Sequence, residues 1–348
     1  MTPVAVGPDA RDIWQEALAL DPSAAVTQTP AWLRCVVADG RWVDATRAYR
    51  TEDGRPLILP LVRRHGLKGA AAMTASMPFG WSWGGLVTEA GALSADDVRS
   101  VATDLAQLGA LRVSVRPTSA QDPTWDAVLP ANTVRTLHTS QVLDLTGGWD
   151  EVWMHRFSGS VRRKARRAAR DGVTVECDAT GTLVPVFDDL YRRSVARWAE
   201  QQHEPLPLAR WRAQRRDPER KFREVARRFG PDCRIWLARR EGRPAAAIIV
   251  LSHGEHAMYW RGAMDKEVAA GTYANELLHQ LAIADACRTG RRAYSMGESA
   301  PGSSLASFKH GFGARDVVSH TYRMERLPLT AADAAARRGV KRLLGFRD

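Results

Sequence analysis

Cysteine is scarce in this chain: Cys35, Cys177, Cys233 and Cys287 are the only four among 348 residues. No two of them stand at finger or redox spacing, so a metal–thiolate framework and a disulfide scaffold are both excluded. Four reduced, mostly buried thiols are expected. Long apolar runs are missing as well. The longest interior one, "AAAIIVL" from Ala245 to Leu251, is far short of the roughly 20 residues that a membrane-spanning helix needs. The opening "MTPVAVGPDARDIW" has no cationic stretch leading into an apolar one, so no secretory signal is read and the cytoplasm is the expected compartment. The nine histidines show no H-x-x-x-H pattern and no cysteine partners, so no metal is expected. No G-x-G-x-x-G or G-x-x-x-x-G-K-[ST] loop occurs, which argues against a doubly wound nucleotide fold. A G-x-S-x-G elbow is also absent, which argues against a serine hydrolase.

What is present in excess is positive charge, and it is unevenly placed. The net charge is +11, and residues 1–150 contribute −3 to it, from 13 Lys and Arg against 16 Asp and Glu. Residues 151–230 contribute +8 and residues 231–348 a further +6. The densest stretch is "VRRKARRAAR". Between Arg162 and Arg170, six of nine residues are cationic: Arg162, Arg163, Lys164, Arg166, Arg167 and Arg170. Like charges one helical turn apart repel, so such a strip implies a polyanionic partner rather than a stability device. Its apolar edge, Val161, Ala165, Ala168 and Ala169, is narrow, which leaves most of the circumference cationic. A phosphate-rich polyanion is the expected contact.

With 45% apolar residues and 12 tryptophans, the chain can bury two cores, and its length makes two domains the default. "SADDVRSVATDLAQLGA" reads as a helix capped by Ser94, with Val98, Val101, Leu105 and Leu108 on one face. "TPAWLRCVVADG" reads as a shorter helix, "LRVSVRP" and "SQVLDL" as strands, and "SAQDPTWDAVLPANT" as turn-rich. A boundary is expected near Thr146–Gly148. Beyond it, the basic helix stops at Gly172 before the strand "VTVEC". "LVPVFDDLYRRSVARWAEQ" forms an amphipathic helix, and "RIWLARREGRPAAAIIVLSHGEHAMYWRGA" forms three antiparallel strands. A long helix ending at Gly290, a strand, a short helix and a last strand complete the order. The fold class this predicts is α+β, with helices flanking mixed, largely antiparallel sheets. The domains expected are 1–146, 147–328 and a basic C-terminal helix over 329–348.

Four stretches resemble one family: "RRKARRAARDGVTVE", "AMYWRGAMDKEVAAGTYANELLHQLAIADACRTGRRAYSMGES", "SLASFKHGFGA" and "MPFGWSWGGLV". They look like the Fem-type aminoacyltransferases of the tandem N-acetyltransferase-like (GNAT) superfamily, with Trp83 standing where that family usually has Tyr. The resemblance runs in order from about residue 30 to residue 325. It implies two GNAT-like domains and acyl transfer to an amine. Aminoacyl-tRNA would serve as co-substrate, with no bound cofactor, and a small amine of natural-product or cell-wall type would accept the acyl group. Stand-alone relatives of this kind act in antibiotic pathways. Acyl-CoA is the alternative donor, although "KEVAAGTYAN" departs from the usual pyrophosphate-cradling turn. A non-catalytic RNA-binding module is the third reading.

Attack on an activated ester needs mainly positioning and stabilisation of an oxyanion. Lys309, which matches the family's Phe-Lys position, is the leading candidate cation, and Glu298 is a candidate general base. Trp83, Tyr273, Asn275, Trp260 and Phe308 are candidate substrate-binding residues, the tryptophans being suited to stacking on a terminal base. Nothing in the sequence sets an oligomeric state.

Overall fold

Turn chemistry and capping account for the order of the first elements. The computed structural model describes residues 1–344, with side chains to residue 339. The chain divides into two compact units, one holding residues 1–139 and 317–336, the other residues 140–316 and those from 337 on.

The first unit begins with β1 (Ala5–Val6), α1 (Arg11–Leu20) and α2 (Pro30–Ala38). Proline at the start of α2 loses no hydrogen bond there, and the Thr29 hydroxyl accepts from Trp32 N at 3.2 Å. Short strands follow: β2 (Trp42–Asp44), β3 (Arg47–Arg50), β4 (Pro56–Leu59), β5 (Val62–Arg64) and β6 (Met73–Ala75). α3 (Ala95–Gln107) opens on a reciprocal cap in which Ser94 and Asp97 satisfy each other's backbone N–H. β7 (Arg112–Val115) then leads to α4 (Asp122–Val128). This helix occupies the stretch expected to be turns: Pro123 lies in its first turn, where it is tolerated, and Trp125 is fully buried. β8 (Val134–Asp144) begins in this unit and ends in the second. Val98, Val101 and Leu105 of α3 pack with Tyr49, Leu57 and Trp125 in one core.

The second unit continues with α5 (Gly148–Glu151) and a wide helical turn over Val152–Arg156, closed by Phe157 N to Val152 O at 3.0 Å. Next come α6 (Gly159–Arg170), β9 (Val173–Asp178), α7 (Val184–Gln201), α8 (Leu206–Arg216), α9 (Glu219–Phe229), β10 (Cys233–Arg240), β11 (Arg243–His253), β12 (His256–Met264), α10 (Lys266–Ala269), α11 (Ala274–Arg288), β13 (Ala293–Glu298) and α12 (Ser304–His310). Finally β14 (Arg315–Glu325) returns the chain to the first unit, alongside β7, and α13 (Leu329–Leu344) follows. The expected tail helix is therefore present as far as Leu344, and residues 345–348 lie outside the described residues.

The sheet of the second unit has the order β8-β13-β12-β11-β10-β9. All its pairings are antiparallel except β12 with β13, whose parallel direction requires the crossover through α10 and α11. Ala246, Ile248 and Val250 of β11 pack with Leu277, Leu278, Ala282 and Ile283 of α11. The alternate residues Ala247, Ile249 and Leu251, equally buried, point to the other face, where α7 and α9 lie. Two irregularities shape this sheet. A bulge places both Trp260 and its neighbours opposite the step from Ile249 to Val250. The parallel pairing spans only His256–Met258 with Ala293–Ser295, and beyond it the two strands part.

Of the cysteines, Cys35 and Cys233 are buried, Cys287 is half-buried and Cys177 is exposed, so the expected burial holds for two of the four. Cys177 sits on β9, the edge strand of this sheet. Among the described residues no helix is long and apolar enough to cross a membrane.

Phe312 joins the helices to the sheet. Its ring lies 5.1 Å from both Phe157 and Phe308 and 5.4 Å from His279, with no exposed surface. Phe312→Ala is expected to cost about 3–5 kcal/mol through lost burial and the cavity left behind. Urea denaturation followed by tryptophan fluorescence reads this cost, and a loss below about 1 kcal/mol would contradict the packing described.

Candidate active site

The side chains brought together around α12 make a site within the second unit. α12 is short and capped, the Ser303 hydroxyl accepting from Ala306 N at 3.1 Å. Its buried positions, Ala306 and Lys309, are three apart and share one face. Gly313 ends the segment with φ +85, and a Cβ there would meet the Arg156 carbonyl oxygen at 2.6 Å. Only glycine allows that approach.

Lys309 is not a solvated surface lysine: 2% of its surface is exposed. Its Nζ donates to Gln141 Oε1 at 3.1 Å, to Gly297 O at 2.9 Å and to Glu298 O at 2.9 Å. These three acceptors use its three protons, and all of them are neutral groups. Among the described residues no carboxylate forms an ion pair with it, so the charge is solvated but not cancelled. Burial pushes the lysine down to about 8, with Glu298 and Asp316 partly opposing the shift. Glu298 stands at the end of β13 with its side chain exposed. It contributes its carbonyl to the lysine and its negative charge at longer range.

Gln141, which sequence reasoning missed, organises this cluster. It is completely buried on β8. Its Oε1 accepts from Lys309 and from Ser299 Oγ at 2.5 Å, and its Nε2 donates to Asp316 Oδ1 at 2.8 Å. Asp316 also meets His310 Nε2 at 2.8 Å. The signal was available: Gln141 and Leu143 on β8, with Leu145 just after it, alternate inward, and a buried amide in that row demands partners.

His279 on α11 was missed too. It is 3% exposed and its Nδ1 has no hydrogen-bond partner. Its ring meets Tyr259 at 4.7 Å, Phe308 at 5.6 Å and Phe312 at 5.4 Å. Burial, aided by the nearby Lys309 charge, lowers its pKa to about 3, so it stays neutral. Tyr259 is raised to about 12 by burial. A Cβ on Gly262 would meet the Tyr259 hydroxyl at 2.1 Å, so this glycine leaves the room that the phenol occupies.

The basic strip forms α6, with the Ser158 hydroxyl accepting from Val161 N at 3.2 Å. Its six cations differ in their surroundings. Arg162 donates to the Trp153 carbonyl at 2.9 Å and to that of Met154, completing the end of the preceding turn. Lys164 pairs with Glu276 at 3.2 Å, and Arg167 with Asp171 at 3.0 Å. Lys164 and Arg167 both lie over the Tyr273 ring, at 5.5 and 5.6 Å, and Arg166 lies over Trp153 at 5.3 Å. Arg163 and Arg170 are exposed and make no ion pair among the described residues. The strip is thus partly compensated and partly open.

Tyr273 and Asn275 begin α11 beside that strip. Tyr273 takes a left-handed conformation, φ +54, just before the helix. Asn275 does not cap it: its Nδ2 reaches Met264 Sδ at 3.4 Å, and Ala274 N is capped instead by Thr272 Oγ1 at 3.2 Å. Phe308 joins Lys309 on α12 and is half-buried against His279. Trp260 is separated from these residues. It is buried with Phe222 of α9, ring centroids 5.7 Å apart, on the α7 and α9 face of the sheet. Trp83 belongs to the first unit, half-buried in the loop between β6 and α3. No group of three or more His, Cys, Asp or Glu is placed to hold a metal among the described residues.

Residues 155–310 match a family profile described as Acetyltransferase (GNAT) domain. Nothing matches among curated protein sequences. FemX is similar in structure, with a TM-score of 0.64 and 13% identity over 92% of this chain and 98% of that one. The fold is that of a Fem-like tandem GNAT protein. L-PGS from Bacillus licheniformis shares it, with a TM-score of 0.53 and 15% identity over 99% of both chains. So does a tandem GNAT protein from the clavulanic acid biosynthesis pathway, with a TM-score of 0.50 and 14% identity over 93% of this chain and 97% of that one. Lys309, His279 and α6 all fall within the residues matched to the acetyltransferase profile.

His279 makes acid stability a readout of this geometry. Its folded pKa of about 3 lies below the ordinary 6.5, so the unfolded chain takes up a proton where the folded one does not. Its contribution is complete above pH 6.5 and is lost as the pH falls toward 3, by up to about 1.4 kcal/mol per pH unit. In denaturation series at pH 7, 6, 5 and 4, His279→Phe should lose stability less steeply than the natural chain. Parallel slopes would show that the imidazole is not buried neutral.

Proposed function

We propose that the second unit transfers the aminoacyl group of a charged tRNA to the amine of a small acceptor. The single observation behind this reading is the buried Lys309 ammonium, held by neutral acceptors alone. The acceptor's amine nitrogen attacks the ester carbonyl, and negative charge develops on the carbonyl oxygen. The C–O bond to the terminal ribose then breaks, and the amine proton ends on the departing hydroxyl. Lys309 favours the charged transition state through its uncancelled field in a region of low dielectric. The exposed Arg163 and Arg170 offer charge to the RNA backbone.

The start of α11 favours tRNA over acyl-CoA as donor. Glu276 occupies the first turn and Thr272 already caps it. A carboxylate there opposes a pyrophosphate, which ordinarily binds at open N–H groups. The acetyltransferase profile supports CoA as the second reading.

Purified full-length chain should release labelled amino acid from aminoacyl-tRNA into a small acid-stable amide when offered mixed amine acceptors. Turnover with acetyl-CoA and no tRNA would overturn the donor assignment. Lys309→Met is expected to lower kcat/KM by about 10²–10³. Because the cation is the active form, the natural chain's activity should decline as the pH rises through about 8. Arg163→Glu with Arg170→Glu should raise the KM for tRNA and flatten its salt dependence.

A further inference from the structure

α8 packs beside α7, yet of its eleven residues only Ala209 is buried. The helix carries Arg210, Arg212, Arg215 and Arg216 and no acid. Two of these are committed within the fold. Arg212 pairs with Glu204 at 2.7 Å, and Arg216 joins Lys221 and Arg261 on the buried Asp217. Arg210 and Arg215 are exposed and make no ion pair among the described residues.

Pro207, Arg210, Trp211, Gln214 and Arg215 recur at helical spacing and share one face, and all five are exposed. Trp211 stands in the middle of that face, 57% exposed, with the Arg215 guanidinium 5.1 Å from its ring centre. A guanidinium covers one side of an indole at most, and the exposure of Trp211 leaves much of the ring to solvent. Helix formation does not ask for this residue: tryptophan is a poorer helix former than the arginine and alanine around it, and an exposed ring adds little burial. Arg210 and Arg215 are five residues apart, about 7.5 Å along the axis, one before the ring and one after it.

We propose that the outward face of α8 is a contact for single-stranded nucleic acid. An unpaired base stacks on Trp211, Arg210 and Arg215 meet the phosphates on either side of it, and Gln214 offers a donor and an acceptor to the base edge. Every base has a planar face, so the contact reads strandedness rather than sequence. A duplex keeps its bases stacked inside and offers no such face. A lone ring between cations is a poor membrane anchor, which needs a broad apolar surface. The contact uses none of the charges of α6 and does not rest on the donor assigned to the acyl transfer.

The test is fluorescence anisotropy of the full chain with a short fluorescein-labelled oligoadenylate, offered as RNA, as DNA and as a blunt duplex with its complement. Saturable binding of the single strand, tighter than that of the duplex, is expected, and the RNA and DNA arms show which sugar is preferred. Trp211→Ala should weaken single-strand binding about tenfold, the effect of one lost stacked base, while Trp211→Phe keeps most of it. Trp211→Leu, which keeps apolar bulk without the planar ring, gives a second reading should Trp211→Ala not fold. Arg210→Gln with Arg215→Gln should flatten the dependence of affinity on salt. Running the series in an Arg163→Gln, Arg170→Gln background removes the open charge of α6 and should leave the Trp211 effect in place. Single-strand binding that is absent, or unchanged in the folded alanine or leucine variant, overturns the proposal. So does Trp211-dependent binding to phosphatidylglycerol vesicles without binding to the oligonucleotide, which would make this face a membrane contact. Labelled aminoacyl transfer can fail with this binding intact, so the two readings fall separately.

Discussion

A buried lysine ammonium held by neutral hydrogen-bond acceptors is the constraint around which the second unit is arranged. Desolvating such a group costs several kcal/mol, and the fold meets that cost with three neutral acceptors from two places in the chain. Gln141 comes from β8, and Gly297 and Glu298 from the end of β13, while the lysine itself rides on α12. A carboxylate partner would have been the cheaper solution. It would also have cancelled the field, and the amide and carbonyl acceptors leave that field intact. The lowered lysine pKa and the very low histidine pKa beside it are two consequences of the same low-dielectric environment.

The strand geometry explains why this environment exists at all. β12 and β13 pair over three residues and then part, so Tyr259 and the residues after it have no strand partner on that side. α11, bridging the two strands, supplies His279 to the space beneath, and Phe308 and Phe312 close it. The bulge on β12 has the reverse effect on the other face, turning Arg261 toward Asp217. One irregular strand thus serves two separate polar clusters, each isolated from the other by a packed sheet.

Much of this was legible in the residues. Ser94 with Asp97, Gly172 after the basic strip and Gly290 after α11 mark ends that a helix must have for local reasons, and local reasons survive tertiary context. The three-strand meander was readable because its apolar residues alternate or run continuously between clear turns. α4 was not, because Pro123 and its polar neighbours look alike in a turn and in a first helical turn. The site was half legible. Lys309 stood out through its flanking phenylalanine and glycines, but its burial could not be seen, since that depends on Gln141, 168 residues away. His279 lies in an apolar helix where its unpartnered nitrogen has no sequence signature. Trp260 was grouped with the site as an aromatic in one of the stretches that carry the resemblance, yet a strand sends neighbours to opposite faces, and the bulge decides which neighbours those are.

The charge of α6 shows how composition and placement differ as evidence. Counted along the chain, six cations argue for a polyanion. Placed in the fold, Lys164 answers Glu276 at the start of α11, Arg167 answers Asp171, and Arg162 closes the helical turn before its own helix. These three have work to do in the folded chain whether or not RNA is present. What remains outward-facing is Arg163 and Arg170, with Arg166 lying over Trp153. A nucleic-acid contact through so few open charges would be weak on its own and would need the ester end of the donor to be held as well. The helix therefore suits a substrate that must arrive, react and leave better than a partner that stays bound.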